Sequence, residues 1–268
     1  MGKALNYYNE YDPFAAEWLR GLINYGLIPD GEVDERSITD VEAKDLEGFT
    51  QCHFFAGIGG WSRALELAGW GADRAVWTGS PPCQPFSSAG THTGFSDARD
   101  LWFAWFDLIR QCRPRTIFGE QVATSIKHGW LDRAAADLAT AHYRHGAIVL
   151  SAASIGAPHR RERLFIVADT CDSRLQGQRR SRQEPMAKRR QRTERYSTSR
   201  SFWGASSIYC RDKKYRAAPK QSEIQPMVDG LPESLGRVGL LKGAGNAIVP
   251  QAAAEIIKAY MEQDDEQN

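Results

Sequence analysis

Short apolar runs alternate with segments whose apolar residues recur at helical spacing, and this alternation constrains the fold of the 268-residue chain most strongly. Strands that are apolar throughout and that alternate with helices are typical of a parallel sheet covered by helices on both faces. The sequence therefore predicts an α/β fold. The predicted strands are residues 4–8, 50–55, 75–78, 116–118, 147–150 and 164–168. The predicted helices begin at Pro13 and cover 61–68, 97–111, 131–142 and 251–261, and a weak strand or turn is expected within 28–41.

Composition excludes several classes of protein. Hydrophobic residues make up 42% of the chain, which is enough for one large core or for one core and a small satellite. No apolar run is long enough to span a membrane. The segment 1–8 lacks the apolar core of a signal peptide. The five cysteines are scattered and form no Cys-x-x-Cys pair, which argues against a disulfide framework and against a thiolate metal site. We therefore expect a cytoplasmic protein that has no membrane partner and binds no metal.

Residues that can do chemistry lie at the ends of several predicted strands. Cys83 follows one strand on a loop that begins with two prolines, and Glu120 follows another. Arg161 and Arg163 flank a third strand, and a Gly-rich turn at Gly57–Gly60 follows a fourth. In open α/β sheets ligands bind in the crevice at the carboxyl ends of the strands. These residues are therefore predicted to converge on one crevice.

The residue types in this set favour addition to an electron-poor ring followed by group transfer. A cysteine thiolate is a nucleophile, and nearby cations lower the pKa of the thiol. A partly protonated carboxyl group can hydrogen-bond a ring nitrogen, a guanidinium can hold a carbonyl oxygen or a phosphate, and a Gly-rich turn lets a second substrate approach the backbone. Other readings stay open: Cys83 as an inert buried thiol, the two arginines as a solvated charge run, and Asn246 as a turn residue.

Five short blocks, in this order, resemble the signature blocks of DNA cytosine-5 methyltransferases. Each lies in the structural context that the family requires, and together they cover residues 50–168 and 226–260. The blocks are Phe55-Ala56-Gly57-Ile58-Gly59-Gly60, Pro82-Cys83-Gln84, Glu120-Gln121-Val122, Arg161-Glu162-Arg163 and Gly245-Asn246. The resemblance implies a Rossmann-like sheet of the methyltransferases that use S-adenosyl-L-methionine, with helices on both faces.

The resemblance also implies a role for each matching residue. Cys83 would attack C6 of a cytosine that has been flipped out of the duplex, so that C5 can accept the methyl group. Glu120 would bond the N3 and amino edge of the base. Arg163 would contact the base carbonyl and hold Glu120, while Arg161 would support the loop or a phosphate. The residues that would line the cofactor pocket are Phe55, Ala56, Gly57, Ile58, Gly59, Gly60 and Asn246.

Two features depart from the family pattern. Gln121 stands where the family usually has asparagine, one methylene shorter. In addition, residues 71–80 leave room for one strand only between the first helix and Cys83, where the family has two further strand–helix units. The strand–acidic turn–helix beginning at residue 4 resembles one missing unit, and residues 31–41 resemble the other. We therefore predict a permuted cofactor half in which the second and third strands precede the first and residues 42–49 form the linker.

In this permuted arrangement Glu10 would hold the ribose hydroxyls and Tyr11 would pack on the adenine. The adenine contact of the next block stays open between Asp34 and the pair Ser37/Ile38. The alternative is an N-terminal extension in which Glu10 is acidic by chance.

The composition changes after Asp169, where the chain becomes rich in Arg, Lys and Ser. In the family the corresponding segment recognises the DNA target. The predicted organisation is therefore a catalytic and cofactor-binding domain at 1–169, a small irregular target-recognition segment at 170–225, and a return to the catalytic domain at 226–268 with a C-terminal helix. A disordered linker is the alternative for the basic stretch, since its composition suits disorder.

The leading hypothesis is a monomeric enzyme that methylates cytosine in double-stranded DNA, as in restriction–modification. Three alternatives stay open. One is an RNA cytosine-5 methyltransferase on the same scaffold, and another is a catalytically silent DNA-binding protein. The third, a cysteine-dependent hydrolase, is disfavoured because no histidine is placed as an evident base for Cys83.

Overall fold

The computed structural model describes residues 6–82, 101–157, 159–170 and 247–265. The strands are β1 (Asn6–Asn9), β2 (Gly31–Asp34), β3 (Gln51–Phe54), β4 (Val76–Gly79), β5 (Thr116–Val122), β6 (Tyr143–Ser151) and β7 (Glu162–Thr170). The helices are α1 (Pro13–Asn24), α2 (Gly60–Ala68), α3 (Trp102–Cys112), α4 (Trp130–Thr140) and α5 (Pro250–Asp265). Short 3-10 helices cover Ile38–Asp40, Ala43–Leu46, Ala123–His128 and Ala152–Ile155.

All seven strands form one sheet in the order β2-β1-β3-β4-β5-β7-β6. The strand before the Gly-rich turn is β3, and β1 pairs with it in parallel register. If β3 is counted as the first strand, β1 and β2 become the second and third, and the order reads 3-2-1-4-5, which is the doubly wound order. The predicted strand permutation is therefore confirmed. The alternative of a separate N-terminal extension is wrong, because β1 lies inside the sheet.

The expectation of a parallel sheet is wrong at β7. This strand runs antiparallel both to β5 and to β6. Only residues 152–161 join β6 to β7, whereas a parallel crossover needs about a dozen residues or more, usually with a helix. The short connection therefore forces the chain to return antiparallel, and β7 inserts between β5 and β6.

Helices cover both faces of the sheet from β1 to β5, as predicted. On one face, α3, α4 and the turns within 38–46 pack against side chains such as Tyr7 and Trp77. On the other face, α1 packs against Tyr8, and α2 and α5 pack against Phe118. Coverage ends at β6, which is exposed along most of its length among the described residues. The predicted two-sided burial therefore does not extend to this edge strand.

The first helix, α1, begins where the sequence indicates. Asp12 caps α1, because its side chain accepts hydrogen bonds from the backbone N–H groups of Phe14 and Ala15, at 2.9 and 3.4 Å, and Pro13 occupies the first turn. The final helix α5 packs its alanine-rich side against α2, as expected of a structural element. For the predicted helix at 97–111, residues 97–100 lie outside the described residues. Among α1–α5, none has both the length and the apolar composition of a bilayer span.

A histidine lies at the centre of the sheet. His53 on β3 is 1% exposed, its Nδ1 lies 2.8 Å from Oγ1 of Thr78, and its ring stacks on Tyr8 with centroids 5.0 Å apart. Burial lowers the pKa of His53 from 6.5 to about 3. Between about pH 3 and pH 6.5 the imidazole of His53 is therefore neutral in the folded protein, although it would carry a proton in the unfolded chain.

The free energy of unfolding is expected to fall as the pH drops below 6.5. Below that pH the imidazole of His53 binds a proton in the unfolded chain but stays neutral in the folded protein. At pH 5 this single group should lower the free energy of unfolding by about 2 kcal/mol relative to pH 8. Urea denaturation at both pH values measures it. His53→Gln should lose about this much of the pH dependence, whereas the exposed control His128→Gln should keep it. An unchanged pH dependence in His53→Gln would contradict the assignment.

Candidate active site

The Gly-rich turn connects β3 to α2 through a left-handed backbone. Gly57 and Gly59 have φ of 57° and 77°, and Phe55 adopts a φ of 52°, which is rare for a bulky side chain. A Cβ at Gly60 would lie 2.8 Å from Cγ1 of Ile248, so glycine is needed there for the final segment to pack. The turn therefore presents backbone and the N-terminus of α2 at the carboxyl edge of the sheet, where anionic and polar ligand groups bind.

The carboxylate of Glu10 lies against this turn. Its Oε2 accepts a hydrogen bond from the backbone N–H of Gly57 at 2.7 Å, and its Oε1 accepts one from the N–H of Asp12 at 2.9 Å. These bonds join the end of β1 to the Gly-rich turn, although the two are far apart in sequence. Tyr11, the predicted adenine contact, is 72% exposed beside it. Asp34 at the end of β2 is bonded to the Tyr7 hydroxyl at 2.7 Å and to Arg36.

A buried ion pair lies where β5 meets β7. Oε1 of Glu120 is 2.8 Å from Nε of Arg163, and the glutamate is 7% exposed. Burial raises the pKa of Glu120 above 4.5, while Arg163, Arg161 and a hydrogen bond from Ser80 oppose that rise. The contact between Glu120 and Arg163 that the family resemblance predicted is confirmed. The carboxyl group can therefore keep a proton at higher pH than an exposed glutamate can.

Arg161 is directed to the final segment of the chain. Its guanidinium donates a hydrogen bond to the backbone carbonyl of Ala247, and its backbone has a positive φ of 28°. Burial and the neighbouring Arg163 lower the pKa of Arg161. The geometry fits the predicted loop-supporting role, because Ala247 follows Asn246 and precedes Ile248, which packs on Gly60. Cys83 and Asn246 themselves lie outside the described residues.

The sequence identified Gln121 only as a departure from the family pattern, and the structure gives it a contact. Gln121 is 2% exposed; its Nε2 donates to the backbone carbonyl of Pro81 at 3.1 Å, and its Oε1 accepts from the N–H of Val122 at 2.9 Å. The side chain therefore holds the backbone two residues before Cys83.

The sequence of this chain matches a known protein family. Residues 71–225, more than half of the chain, match the model of the C-5 cytosine-specific DNA methylases. The chain belongs to this family.

Two type II methyltransferases illustrate how far the similarity to curated relatives extends. The chain is 36% identical over 95 residues to the type II methyltransferase M.AplI of Arthrospira platensis, a match that covers 35% of the chain and 28% of the relative. It is 26% identical over 174 residues to the type II methyltransferase M.HhaI of Haemophilus parahaemolyticus, covering 63% and 43%. Less than half of each relative is therefore matched. Among solved structures, a methyltransferase of Entamoeba histolytica aligns with a TM-score of 0.40 and 17% identity, over 64% of the chain and 54% of its own.

One residue of this methylase-family chain was missed by the sequence analysis altogether. Ser80 directly follows β4, and its Oγ accepts a hydrogen bond from Nε1 of Trp61 at 3.0 Å. A single serine before two prolines reads as part of a turn signal. Its neighbours in space come from α2 and β5, which local sequence does not reveal. The strand register, once known, is the signal that could have found it.

Proposed function

We propose that this chain transfers a methyl group from S-adenosyl-L-methionine to C5 of a flipped-out cytosine in duplex DNA, through a covalent adduct between Cys83 and C6 of the base. The observation that carries the proposal is the buried pair of Glu120 on β5 and Arg163 on β7, whose Oε1 and Nε are 2.8 Å apart. β5 is the neighbour of β4, after which the Pro81-Pro82 backbone leads into Cys83. Gln121 fixes that backbone at Pro81. Family membership supports the same reaction.

The residues at the Gly-rich turn fit an S-adenosyl-L-methionine site. Gly57 and Gly59 have a left-handed backbone and no Cβ that would block a ligand, and the first turn of α2 offers backbone N–H groups. Glu10 places a carboxylate beside Gly57. A carboxylate has about four lone-pair directions, so Glu10 can accept from ribose hydroxyls while it keeps its backbone bonds. The bound cofactor supplies the electrophilic methyl group. Phe55, Ile58 and Asn246 are proposed to line the pocket, and Tyr11 to pack on the adenine.

In the proposed mechanism the Cys83 thiolate forms a bond to C6 of cytosine, which makes C5 nucleophilic. Glu120 hydrogen-bonds the N3 and amino edge, and Arg163 contacts the base carbonyl while it holds Glu120. After C5 has gained the methyl group, a base removes the C5 proton, the bond between Cys83 and C6 breaks, and the thiolate is restored. Arg161 supports the segment after Asn246.

DNA binding is proposed for the segment 170–225, whose arginines and lysines would contact phosphates while a few side chains reach base edges. Residues 1–169 and 226–268 would form the catalytic and cofactor-binding part around it, in a monomer. Residues 171–225 lie outside the described residues, so this assignment rests on composition and on the family.

The function is tested by incubating the protein and labelled S-adenosyl-L-methionine with mixed-sequence duplex DNA or with RNA, and by measuring the label in the nucleic acid. The expected result is label in DNA cytosine and none in RNA. Label in RNA alone would favour the RNA cytosine-5 methyltransferase. No label in either would favour a silent DNA-binding protein, which the intact Glu120–Arg163 pair argues against.

Glu10→Ala is expected to weaken binding of S-adenosyl-L-methionine about 10- to 100-fold, the value of a hydrogen bond to a charged group. Isothermal titration calorimetry measures it. Glu10→Gln should bind with intermediate affinity, because its amide oxygen can still accept from the N–H of Gly57. The control Glu32→Ala changes an exposed carboxylate on β2 and should bind like wild type. Unchanged affinity in Glu10→Ala would rule out the proposed ribose contact.

A further inference from the structure

The strand register holds the end of β4 against the middle of β5. Gly79, the last residue of β4, pairs in parallel with Gly119, so Ser80 follows β4 at the level of Glu120 on β5. Residues paired across parallel strands direct their side chains to the same face of a sheet. The hydroxyl of Ser80 is therefore on the face to which Glu120 belongs, which is the face covered by α2.

The direction of the hydrogen bonds at Ser80 is fixed by Trp61. The indole Nε1 lies 3.0 Å from Oγ of Ser80, and an indole nitrogen can only donate. Ser80 must accept this bond, so its own hydrogen is left to donate. The Glu120 carboxyl is the acceptor next to it, and this hydrogen bond lowers the pKa of Glu120 against the effect of burial.

The position of the indole is itself tightly constrained. Trp61 is 3% exposed. Its ring stacks on Phe118 with centroids 6.3 Å apart and meets Phe165 edge-on at the same distance. Phe118 lies two residues before Glu120 on β5, and Phe165 is the β7 residue paired with Glu120. These aromatic contacts therefore fix the indole N–H of Trp61, which donates to Ser80, relative to β5, the strand that carries Glu120.

We propose that Ser80 is a positioning residue that orients the Glu120 carboxyl, and that Trp61 holds the Ser80 hydroxyl in place for it. The proposal deepens the proposed function, since it rests on Glu120 contacting the cytosine edge. Trp61 is the second residue of α2, directly after the Gly-rich turn. The chain Trp61–Ser80–Glu120 thus joins the proposed cofactor side of the crevice to the proposed base side.

Charged groups reach Glu120 from two further positions, Arg163 on β7 and Arg161 just before it. Both favour the carboxylate, as the Ser80 donor does, while burial favours the protonated form. Removing the hydroxyl should therefore shift the balance toward the protonated carboxyl without removing either arginine. That shift separates a positioning role from a merely structural one.

The test is a carboxyl titration by NMR on protein labelled with 13C-glutamate, the Glu120 signal being assigned by its absence from Glu120→Gln. Ser80→Ala should raise the titration midpoint of Glu120 by about one pH unit. Trp61→Phe, which keeps an aromatic ring but removes the indole N–H, should raise it by less. The matched control is Ser62→Ala, which removes a different buried hydroxyl, one that lies on α2 and faces Tyr8. It should leave the midpoint of Glu120 unchanged. Equal midpoints in wild type and Ser80→Ala would overturn the proposal.

Kinetics provides the second readout. In Ser80→Ala the plateau of kcat/KM for methyl transfer to DNA should fall about tenfold, and the alkaline limb of its pH profile should move upward by about one unit. An unshifted limb in an active Ser80→Ala variant would contradict the proposal. If wild type transfers no methyl group at any pH, the proposed function fails, while the NMR titration still decides whether Ser80 donates to Glu120.

Discussion

Cys83→Ala is expected to abolish methyl transfer to DNA, with a fall in kcat of about 10⁶-fold, as when an enzyme loses its nucleophile. Without the thiolate no bond forms to C6, so C5 of the cytosine is not activated. The Pro81-Pro82 backbone that leads into Cys83 is held by Gln121, which an alanine side chain leaves intact. Binding of S-adenosyl-L-methionine should therefore be unchanged, and single-turnover kinetics with saturating DNA measures the loss.

Two other cysteines serve as matched controls for Cys83. Cys52 is 1% exposed on β3, and burial raises its pKa to about 12. Cys112 at the end of α3 is partly buried, and burial likewise raises its pKa. Neither thiol can supply a thiolate near neutral pH, so Cys112→Ala should retain wild-type activity. Activity that survives in Cys83→Ala but is lost in Cys112→Ala would contradict the assignment of the nucleophile.

Glu120→Gln is expected to lower kcat/KM for methyl transfer by about 10²- to 10⁴-fold, the range for loss of a positioned acid or base. A glutamine keeps the size of the side chain, but it cannot donate a carboxyl proton to the ring nitrogen. Because burial raises the pKa of Glu120 above 4.5, wild-type activity should fall as the pH rises through that raised value and the carboxyl group loses its proton. Glu120→Gln should lack this alkaline decline.

The neighbouring Glu162→Gln is the control for Glu120→Gln. Glu162 is exposed and pairs with Arg160 at 3.0 Å. Its replacement by glutamine removes one negative charge next to Arg163, as Glu120→Gln does. It should retain activity within about twofold, since surface ion pairs contribute little. Equal losses in the two variants would indicate a general electrostatic effect and would contradict a specific role for Glu120.

The strand order could be predicted from sequence because each strand ends in a recognisable residue or turn. Glu10 before Asp12-Pro13 marked the end of β1, the glycines marked the end of β3, and the missing room before Cys83 indicated the permutation. The direction of β7 could not be predicted in this way. An apolar strand reads the same in either direction, and only the short connection over 152–161 distinguishes the two.

The charged residues of the site could be predicted because they stand beside predicted strands. Contacts between residues that are distant in sequence could be predicted only where the family pattern supplies them. The contact between Glu120 and Arg163 followed from the family pattern. The bond from Glu10 to the N–H of Gly57 depends on β1 and β3 being neighbours, and the bond from Trp61 to Ser80 depends on how α2 packs. Neither has a periodic or local signal, since tertiary packing alone creates it.

A covalent bond between Cys83 and cytosine during methyl transfer can be trapped on DNA whose target base cannot complete the reaction. Duplex DNA that contains 5-fluorocytosine is incubated with labelled S-adenosyl-L-methionine and the protein, and denaturing electrophoresis separates the products. Fluorine replaces the C5 proton that a base would remove, and it cannot leave as a cation, so the final elimination is blocked. We expect a stable protein–DNA band that carries label with wild type and is absent with Cys83→Ala. Label in DNA without any covalent band, or a band that persists in Cys83→Ala, would rule out Cys83 as the nucleophile.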